Sequence, residues 1–519
     1  MIALYRKKNS SSERGVALIM ALLVLLLLTA VGMGMILMSN TETNISSNFK
    51  DEQTAYFAAK AGIEEVRDRL RAGATDSVNL PATLGNNIPG GPTGPGVLYV
   101  TNPLGTETVS PWVTTGTNYP DDQIGKELNC LTSVAPTGTW WTTPQSASTS
   151  YAASPILQWK WVRLMAKLNK SDTTCVNVTS VDGNVNNNRV CWTGIHEVAT
   201  AAASCSAANA SYQPVYELTS LAVTSGGSRR MMQYEVSQNT FPTIPGAFVF
   251  DGSSPNFNPP NSNPFTVSGT DPATHPGTST TAPYGSINGV SCPLPANQPA
   301  LGAYDNTSVT ALNNDISKRT SDYTTSTPAV AVFNVNPALG MNSIDLTTVD
   351  GLTKLVNLIT TAAGPNVYAN GVTPANLGSA TSPVVNVVNG DLTIGGGTSG
   401  AGILLVTGQL TLSGNFAWDG LILVIGEGAL VKSGGGNATV NGAMFEANLF
   451  SDATAATTGP GTYPGYSNPI PLGSNNPPGI PFFNWSGGGN ATVQYDSCWI
   501  NAVTGSLPYH LITQRELSF

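Results

Sequence analysis

The sequence predicts an α+β protein in which a long amino-terminal helix packs on an antiparallel sheet and is followed by a β-rich carboxy-terminal domain. Three observations predict this fold class. An apolar run near the amino terminus continues into a segment with helical spacing, which indicates one long helix. Short β-branched and aromatic segments bounded by glycine and proline follow it, and these are typical of strands. Nearer the carboxy terminus, glycine-rich segments repeat at a fixed offset, which is typical of a β-solenoid.

The composition favours folded structure and argues against a nucleic-acid partner. The chain has 519 residues, enough for several cores, and only 10% of them are charged. Its 54 glycines and 36 prolines stay below the share at which low-complexity disorder becomes the better interpretation. The formal net charge is -9 and few basic residues follow position 170, whereas nucleic-acid affinity depends mainly on neutralised phosphates.

The amino-terminal region predicts a membrane-spanning helix whose start stays in the cytoplasm. Val16 to Met38 comprises 23 residues, about 35 Å as a helix, which exceeds the roughly 30 Å hydrocarbon core of a bilayer. Basic residues precede this run without comparable ones just after it. The positive-inside rule therefore keeps the leader inside and exports the rest of the chain.

Three interpretations of this segment compete. A secretory signal peptide has a shorter apolar region and a small-residue cleavage site, for which Ala30-Val31-Gly32 would serve. Further apolar residues follow that site, which suits a continuing membrane helix better. An uncleaved anchor fits the length but leaves Arg14-Gly15 unexplained. The third interpretation is a cleavable basic leader that ends in Gly15, directly before the apolar helix. It explains both the length of the apolar run and Arg14-Gly15, and it is the interpretation we favour.

The helix is predicted to continue beyond the membrane as an amphipathic segment. Apolar and small residues recur there at alternating spacings of 3 and 4, which places them on one side of a helix. This packing stripe, interrupted only by Glu52, comprises Ile45, Phe49, Tyr56, Ala59, Ile63, Val66 and Leu70. No proline falls between Val16 and Leu70, so one helix of about 55 residues is predicted. Its outer half is expected to pack on a globular domain.

These segments resemble the amino-terminal region of PilX-type minor pilins of type IV pilus systems. The resemblance covers about the first 72 residues and rests on the leader ERG, the run VALIMALLVLLLLTAVGMG and the following ISSNFKDEQTAYFAAKAGIEEVRDRL. It implies cleavage between Gly15 and Val16, methylation of the new amino terminus at Val16, and entry into a pilus. It also implies prepilin peptidase, other minor and major pilins and a tip adhesin as partners. An inner-membrane stage would precede display on the pilus or cell surface.

Met20 departs from the pattern of major pilins, whose fifth mature residue is a glutamate. In that family the glutamate is taken to neutralise the terminal amine of the neighbouring subunit inside the apolar filament core, where an unpaired charge is expensive. A subunit with no neighbour ahead of it has no amine to neutralise, and the tip pseudopilin of type II secretion systems similarly lacks this glutamate. Met20 therefore favours a position at or near a pilus tip. The alternative is that PilX-type proteins tolerate an apolar residue there.

The rest of the chain divides into parts of different composition. The predicted divisions are a leader at 1–15, the pilin helix at 16–72 with 16–38 in the membrane, a pilin-like β domain at 73–245, a loop-rich connecting region at 246–380, and a β-solenoid-like domain at 381–519. In the β domain, PVYELTSLAVT and RRMMQYEVS flank SGGS as the strands of a hairpin would. In the connecting region, Val349 to Ala363 has helical spacing.

The clearest internal repeat lies in the last part. Residues 390–406 and 408–424 align at an offset of 18, with two short strands and glycine corners in each copy, and 428–445 is a looser third copy. This pattern predicts solenoid coils that stack Leu, Ile and Val on the next coil. The alternative is an antiparallel meander with coincidental glycines. Solenoids of this type tend to act as rigid, exposed platforms.

Six cysteines in an exported chain predict disulfides. We expect Cys175 to pair with Cys191, because that pair closes a short loop. No CxxC spacing is present, and the sequence predicts neither a metal site nor a cofactor. The segment DGNVNNN, Asp182 to Asn188, resembles some calcium loops, but it has one carboxylate and no closing glutamate, so a polar turn is favoured.

Catalysis is not expected. No nucleophile, base and acid pattern can be anchored on His196, His275 or His510. Polysaccharide-cleaving solenoids need carboxylates gathered on one face, whereas those of the repeats are scattered. The predicted function is that of a PilX-like minor pilin that helps initiate pilus assembly and displays a large exported domain. The alternative is a membrane-anchored adhesin or carbohydrate-binding solenoid that is not incorporated into a pilus.

Overall fold

The computed structural model of this chain begins with helix α1, Glu13–Arg69, which is 57 residues long. The structure describes residues 13–70, 96–113, 118–124, 145–146, 158–169, 188–194, 196–200, 205, 212–238, 241–260, 264–275, 285–288, 290–325, 331–340, 344–451, 468–473, 475–485, 488–505, 507 and 509–517. Helix α1 contains no proline and runs from the apolar segment through the amphipathic segment without a break. The prediction of one long continuous helix is therefore confirmed.

An antiparallel sheet lies against the last turns of α1. Its central strands β3 (Trp159–Ala166), β7 (Gln213–Val223) and β8 (Arg229–Gln238) pair antiparallel in that order. The predicted hairpin is confirmed, because β7 and β8 are joined by the turn that contains SGGS. Shorter strands extend this sheet: β1 (Val97–Thr101), β2 (Gln145–Ser146), β4 (Leu168–Asn169), β5 (Asn188–Trp192) and β6 (Glu197–Thr200).

Apolar side chains fill the space between α1 and this sheet. Ala59, Ile63 and Val66 of the helix are fully buried. They belong to one cluster with side chains of the central strands, including Trp159, Val162, Leu164, Leu218, Tyr234 and Val236. Burying each large apolar side chain contributes about 1.5–3 kcal/mol, so this cluster fastens the outer half of the helix to the sheet.

Two parallel sheets form the carboxy-terminal region. The first contains, in spatial order, β15 (Tyr323–Thr324), β11 (Phe265–Ser268), β26 (Ala491–Tyr495), β24 (Ala438–Asn448), β22 (Phe416–Gly426), β20 (Thr398–Val406), β18 (Val384–Asn389) and β17 (Val367–Ala369), with β9 (Phe248–Asp251), β14 (Leu301–Ala303) and β16 (Val332–Asn334) joined to it. The second contains β10 (Asn256–Asn258), β25 (Phe482–Trp485), β23 (Ala429–Ser433), β21 (Gln409–Ser413) and β19 (Leu392–Ile394). A small hairpin, β12 (Ser286–Ile287) with β13 (Val290–Ser291), pairs separately. Residues 246–380, predicted as a loop-rich connection, thus supply strands to the first sheet.

The pairing register follows the sequence repeat. Strand β20 pairs with β22 at the 18-residue offset, and β19 pairs with β21 at the same offset. Apolar residues consequently stack from strand to strand, with Ile403 beside Leu421 and Leu410 beside Leu430. Because all of these strands run parallel, the antiparallel meander is the wrong alternative.

Asparagine side chains hold the corners between successive repeats. Asn415 Oδ1 accepts a hydrogen bond from the backbone N–H of Asn437 at 2.8 Å. Asn437 Oδ1 in turn accepts from the N–H of Asn490 at 3.0 Å. The recurring NATV segments begin at these last two asparagines, so the repetition in sequence reflects a ladder of side-chain to backbone hydrogen bonds.

Helices cover parts of the parallel sheets. They are α2 (Asn306–Asp315), α3 (Asn336–Gly340), α4 (Val349–Ala363) and α5 (Ser497–Gly505), with 3-10 turns at Ile316–Lys318 and Thr320–Asp322. Helix α4 has the predicted bounds and contacts β18. Thr348 caps its start, because the hydroxyl accepts from the N–H of Gly351 at 3.2 Å. Helix α5 contacts β22 and β24 and lies beside the β12–β13 hairpin.

The last described strand of the chain belongs to the antiparallel sheet that packs on α1. Strand β27 (Tyr509–Leu517) pairs antiparallel with β8, with Tyr509 opposite Gln238 and Leu517 opposite Met231. The predicted division at 381–519 therefore includes one strand that belongs to the other sheet. Most of β27 is exposed, and its sequence carries no feature that singles out β8 as its partner.

Two disulfides lie among the described residues. Cys191 of β5 is bonded to Cys205, and Cys292 is bonded to Cys498 of α5. The predicted Cys175–Cys191 pair is therefore wrong. The two candidate loops differ by only two residues in length, so the entropy of loop closure could not distinguish them. Cys175 lies outside the described residues, as does the calcium-like segment up to position 187, whereas Asn188 begins β5.

Glu427, just after β22, is expected to make stability depend on pH. Burial, reinforced by the charge of Asp391, raises its pKa to about 7. The folded state then holds the proton more tightly than the unfolded state, so this group reduces stability as pH rises from about 4.5 to about 7, and its effect is constant at higher pH. We expect Glu427→Gln to stabilise the protein by about 1 kcal/mol at pH 8, after allowance for solvent screening, and to change little at pH 4.

Urea unfolding of the full chain at both pH values checks this expectation. Glu42→Gln, at an exposed position on α1, is the matched control and should have no effect at either pH. An equal gain for Glu427→Gln at pH 4 and pH 8 would contradict the proton-linked explanation.

Candidate functional site on the amino-terminal helix

The residues of the predicted processing position lie within one uninterrupted helix. Helix α1 passes through Gly15 and Val16 without a break. Val16 is 59% exposed and Met20 is 63% exposed. Met20 therefore lies on the open surface of the helix, where a neighbouring helix could contact it.

The first half of α1 presents an apolar surface on all sides. Between Val16 and Met38 every large apolar side chain is at least 48% exposed. Among the described residues, α1 is the one helix that is long and apolar enough to cross a membrane. An apolar surface of this size is stable only in lipid or against other apolar helices.

The predicted packing stripe divides into a buried part and an exposed part. Ile63, Val66 and Leu70 are buried against the antiparallel sheet, and Tyr56 is partly buried beside them. Ile45 and Phe49 do not pack on the sheet, since they are 63% and 60% exposed. Their expected packing on the globular part of the same chain is therefore not what the structure shows.

The position of the β7–β8 turn explains why these two residues are exposed. Gly226 of that turn lies against Asp51, and Arg230 of β8 pairs with Glu52. The sheet thus begins at this level of the helix, and the turns before it extend past the sheet. Phe57, which the stripe did not include, is also exposed, at 63%. Three bulky apolar residues beyond the predicted membrane segment are therefore open to a partner.

Glu52, the one interruption of the stripe, has an electrostatic partner. Arg230 Nη2 lies 3.0 Å from Glu52 Oε2, and Arg230 Nη1 lies 2.8 Å from Glu516 Oε1 of β27. All three side chains are substantially exposed, so each pair contributes at most about 1 kcal/mol. Arg67 Nη1 also donates to the carbonyl oxygen of Tyr509 at 3.0 Å. These contacts join the helix to the last strand of the sheet and fix its orientation more than they add stability.

Gly62 allows α1 to approach the sheet closely. A Cβ atom at this position would lie 2.8 Å from Trp159 Cγ and 2.9 Å from Ser220 Oγ. Non-bonded atoms this close would overlap. Any side chain here would therefore push the helix away from β3 and β7. In contrast, Gly32 and Gly34 in the membrane half have no atom within 4 Å of that position.

Gly62→Leu is expected to weaken the docking of α1 on the sheet by about 2 kcal/mol, because the added side chain overpacks a filled interface. Thermal unfolding of the full chain in detergent measures the loss. Gly34→Leu is the matched control, since it introduces the same side chain into open space on the same helix. Equal melting temperatures for the two variants would show that the close approach at Gly62 is unimportant.

The three histidines lie in three separate places. His196 is exposed, and His510 is partly buried with its ring 5.4 Å from that of Trp192. His275 is buried, with Nδ1 2.8 Å from Asp496 Oδ1. Burial lowers the pKa of His510. Most of the exposed large apolar side chains among the described residues lie on α1.

Comparison with known families locates a resemblance on this helix. Residues 14–64 match the family described as PilX N-terminal. Neither the curated proteins nor the solved structures include a match to the chain. The matched range spans the processing position, the apolar surface and most of the packing stripe. It supports a pilin-like role related to type IV pili, association with other pilins, and anchoring in a membrane.

Proposed function

We propose, from the PilX N-terminal match over residues 14–64, that this chain is a PilX-like minor pilin that helps initiate assembly of a type IV pilus. The exposed apolar face of α1 carries this proposal. In the membrane it is solvated by lipid, and in a filament it is covered by the helices of other minor and major pilins. Ile45, Phe49 and Phe57 extend that face beyond the membrane segment, where only protein partners can cover it.

Processing releases the helix for assembly. Prepilin peptidase removes the leader after Gly15, and the new amino terminus at Val16 is methylated. The subunit waits in the inner membrane with its carboxy-terminal part exported, then enters the pilus and reaches the cell surface. No catalytic step by this chain is required, so its role is mechanical and interactive.

Met20 favours a position at or near the pilus tip in this proposal. A methionine at the fifth mature position offers no carboxylate to the amine of a subunit ahead of it. An amine buried without a partner is destabilising by several kcal/mol, so a subunit lacking the carboxylate is best placed where no amine needs it.

The two parallel sheets form a β-solenoid that serves as a platform for display. Parallel strands stacked at the repeat offset, with glycines and asparagines at the corners, support this assignment. Its rigidity would hold a partner such as a tip adhesin at a fixed distance from the pilus end.

Mass spectrometry of the amino terminus tests the proposal. We expect a mature chain that begins at methylated Val16 in cells that make pili. A chain that retains Met1, or that begins at Met33, would instead support a membrane-anchored adhesin or carbohydrate-binding protein outside the pilus.

Labelled electron microscopy tests the position in the fibre. We expect the unmodified protein at pilus ends, and we expect Met20→Glu to allow incorporation along the shaft. Met20→Gln is the matched control, because it has the same length without the charge and should stay at the ends. Labelling of the unmodified protein along the whole shaft would overturn the tip assignment.

A further inference from the structure

Three buried titratable side chains from distant parts of the chain meet at the start of α5. Asp271 and His275 lie in the segment after β11, and Asp496 directly precedes α5. They are 5%, 5% and 0% exposed. Their side-chain ligand atoms all lie within 4.8 Å of one another. His275 Nδ1 and Asp496 Oδ1 are 2.8 Å apart although 221 positions separate the two residues in sequence.

Backbone amides orient both carboxylates. Asp271 Oδ1 accepts from the N–H of Ser497 at 2.9 Å, and its Oδ2 accepts from the N–H of Ala296 at 2.8 Å. Asp496 Oδ1 accepts from the N–H of Trp499 at 3.0 Å, which caps α5. A carboxylate oxygen that accepts one hydrogen bond retains another lone pair, so these contacts leave both groups able to act as ligands.

The cluster leaves one buried carboxylate oxygen without a hydrogen bond. Asp496 Oδ2 is shielded from solvent and makes no hydrogen bond within the described part of the chain. A cation placed between the carboxylates of Asp271 and Asp496 would offset their negative charge in this buried site, where uncompensated charge is unfavourable. Two carboxylates with a neutral imidazole and a divalent cation are balanced.

We propose that Asp271, His275 and Asp496 bind one zinc ion. Two carboxylate oxygens and one imidazole nitrogen suit zinc, and three protein ligands leave a fourth position for water. The ion would fasten the segment 269–275 to the amino-terminal end of α5 and so hold that helix on the parallel sheets. The sequence predicted no metal site, because nothing in the spacing of these residues indicates that the fold brings them together.

The neighbouring disulfide is a separate covalent cross-link. The sulfur atoms of Cys292 and Cys498 also lie within 4.8 Å of the ligand nitrogen of His275. They are bonded to each other, and a disulfide sulfur is not a thiolate ligand. Zinc binding is therefore measured without reductant, so that freed thiolates do not create a different site.

Isothermal titration of the full chain in detergent tests the proposal. The protein is treated with EDTA, dialysed without reductant and titrated with ZnCl2, and retained zinc is counted by mass spectrometry after a second dialysis. We expect one zinc ion per chain and a rise in the thermal unfolding midpoint. Absence of retained zinc in the wild-type chain would overturn the proposal.

Variants identify the ligands. His275→Gln and Asp496→Asn are expected to weaken zinc binding at least about tenfold. Asp496→Asn keeps an oxygen that can cap α5. If Asp496→Asn does not fold, His275→Gln provides a second test. Asp419→Asn is the matched control, because Asp419 of β22 accepts from Asn441 at 2.8 Å and is not a member of the cluster. Zinc affinity that is unchanged in His275→Gln, or that falls equally in Asp419→Asn, would overturn the assignment.

Discussion

Gly420→Ala is expected to destabilise the carboxy-terminal region by about 4 kcal/mol. Gly402, Gly420 and Gly442 face each other across β20, β22 and β24, with φ values of 133°, 124° and 141°. A side chain at Gly420 would be strained by this backbone conformation and would also overlap the carbonyl oxygen of Gly402. The backbone of the neighbouring strand cannot move aside without breaking the ladder on both of its edges.

Hydrogen exchange of the full chain, measured by mass spectrometry, gives a local readout of this loss. We expect faster exchange throughout β20, β22 and β24 in the variant, while the antiparallel sheet is unchanged. Gly435→Ala is the matched control, since a Cβ atom there has no neighbour within 4 Å. Similar exchange rates in both variants would show that the stacked glycines are not required.

Asp121→Ala is expected to destabilise the amino-terminal sheet by about 3–5 kcal/mol. Asp121 Oδ2 lies 2.5 Å from Arg163 Nη1, and both side chains are fully buried. The same oxygen accepts from Tyr99 Oη at 3.0 Å, and Oδ1 accepts from two backbone amides at 3.1 Å. Removing the carboxylate would take this counter-charge away from the buried guanidinium of Arg163.

Urea unfolding of the full chain measures this effect. Glu64→Ala is the matched control, because Glu64 pairs with Arg67 on the surface of α1 and its loss should cost under about 1 kcal/mol. The double substitution Asp121→Leu with Arg163→Met should restore much of the stability, because apolar residues of similar volume need no counter-charge. A single variant as stable as Glu64→Ala would contradict the role of the buried pair.

Local patterns in the sequence predict most of the architecture. The absence of proline and the spacing of Ile63, Val66 and Leu70 predict the long helix and its buried end. The 18-residue offset predicts which strands become neighbours, because the offset is the pairing register itself. Periodicity succeeds in these places because the burial of one face is decided by residues close together in the chain.

Features that depend on distant contacts could not be predicted in this way. The stripe continues through Ile45 and Phe49, and only the level at which the sheet begins leaves them exposed. Cys175 and Cys205 are nearly equidistant from Cys191 in sequence, so the choice of partner depends on the fold. The approach of Asp496 to His275 likewise requires the whole carboxy-terminal region to be in place.

The return of β27 to the side of β8 makes the carboxy-terminal region an insertion within the amino-terminal sheet. Both of its connections leave from adjacent strands, near Gln238 and Tyr509, so it is held at two points. Two connections restrict the motion of the carboxy-terminal region relative to the sheet and divide any pulling force between β8 and β27. We therefore expect a stop codon just before β27 to destabilise the antiparallel sheet that packs on α1, because the edge of β8 would then be unpaired. Deletion of the inserted region, with β8 and β27 retained and joined, should destabilise that sheet less.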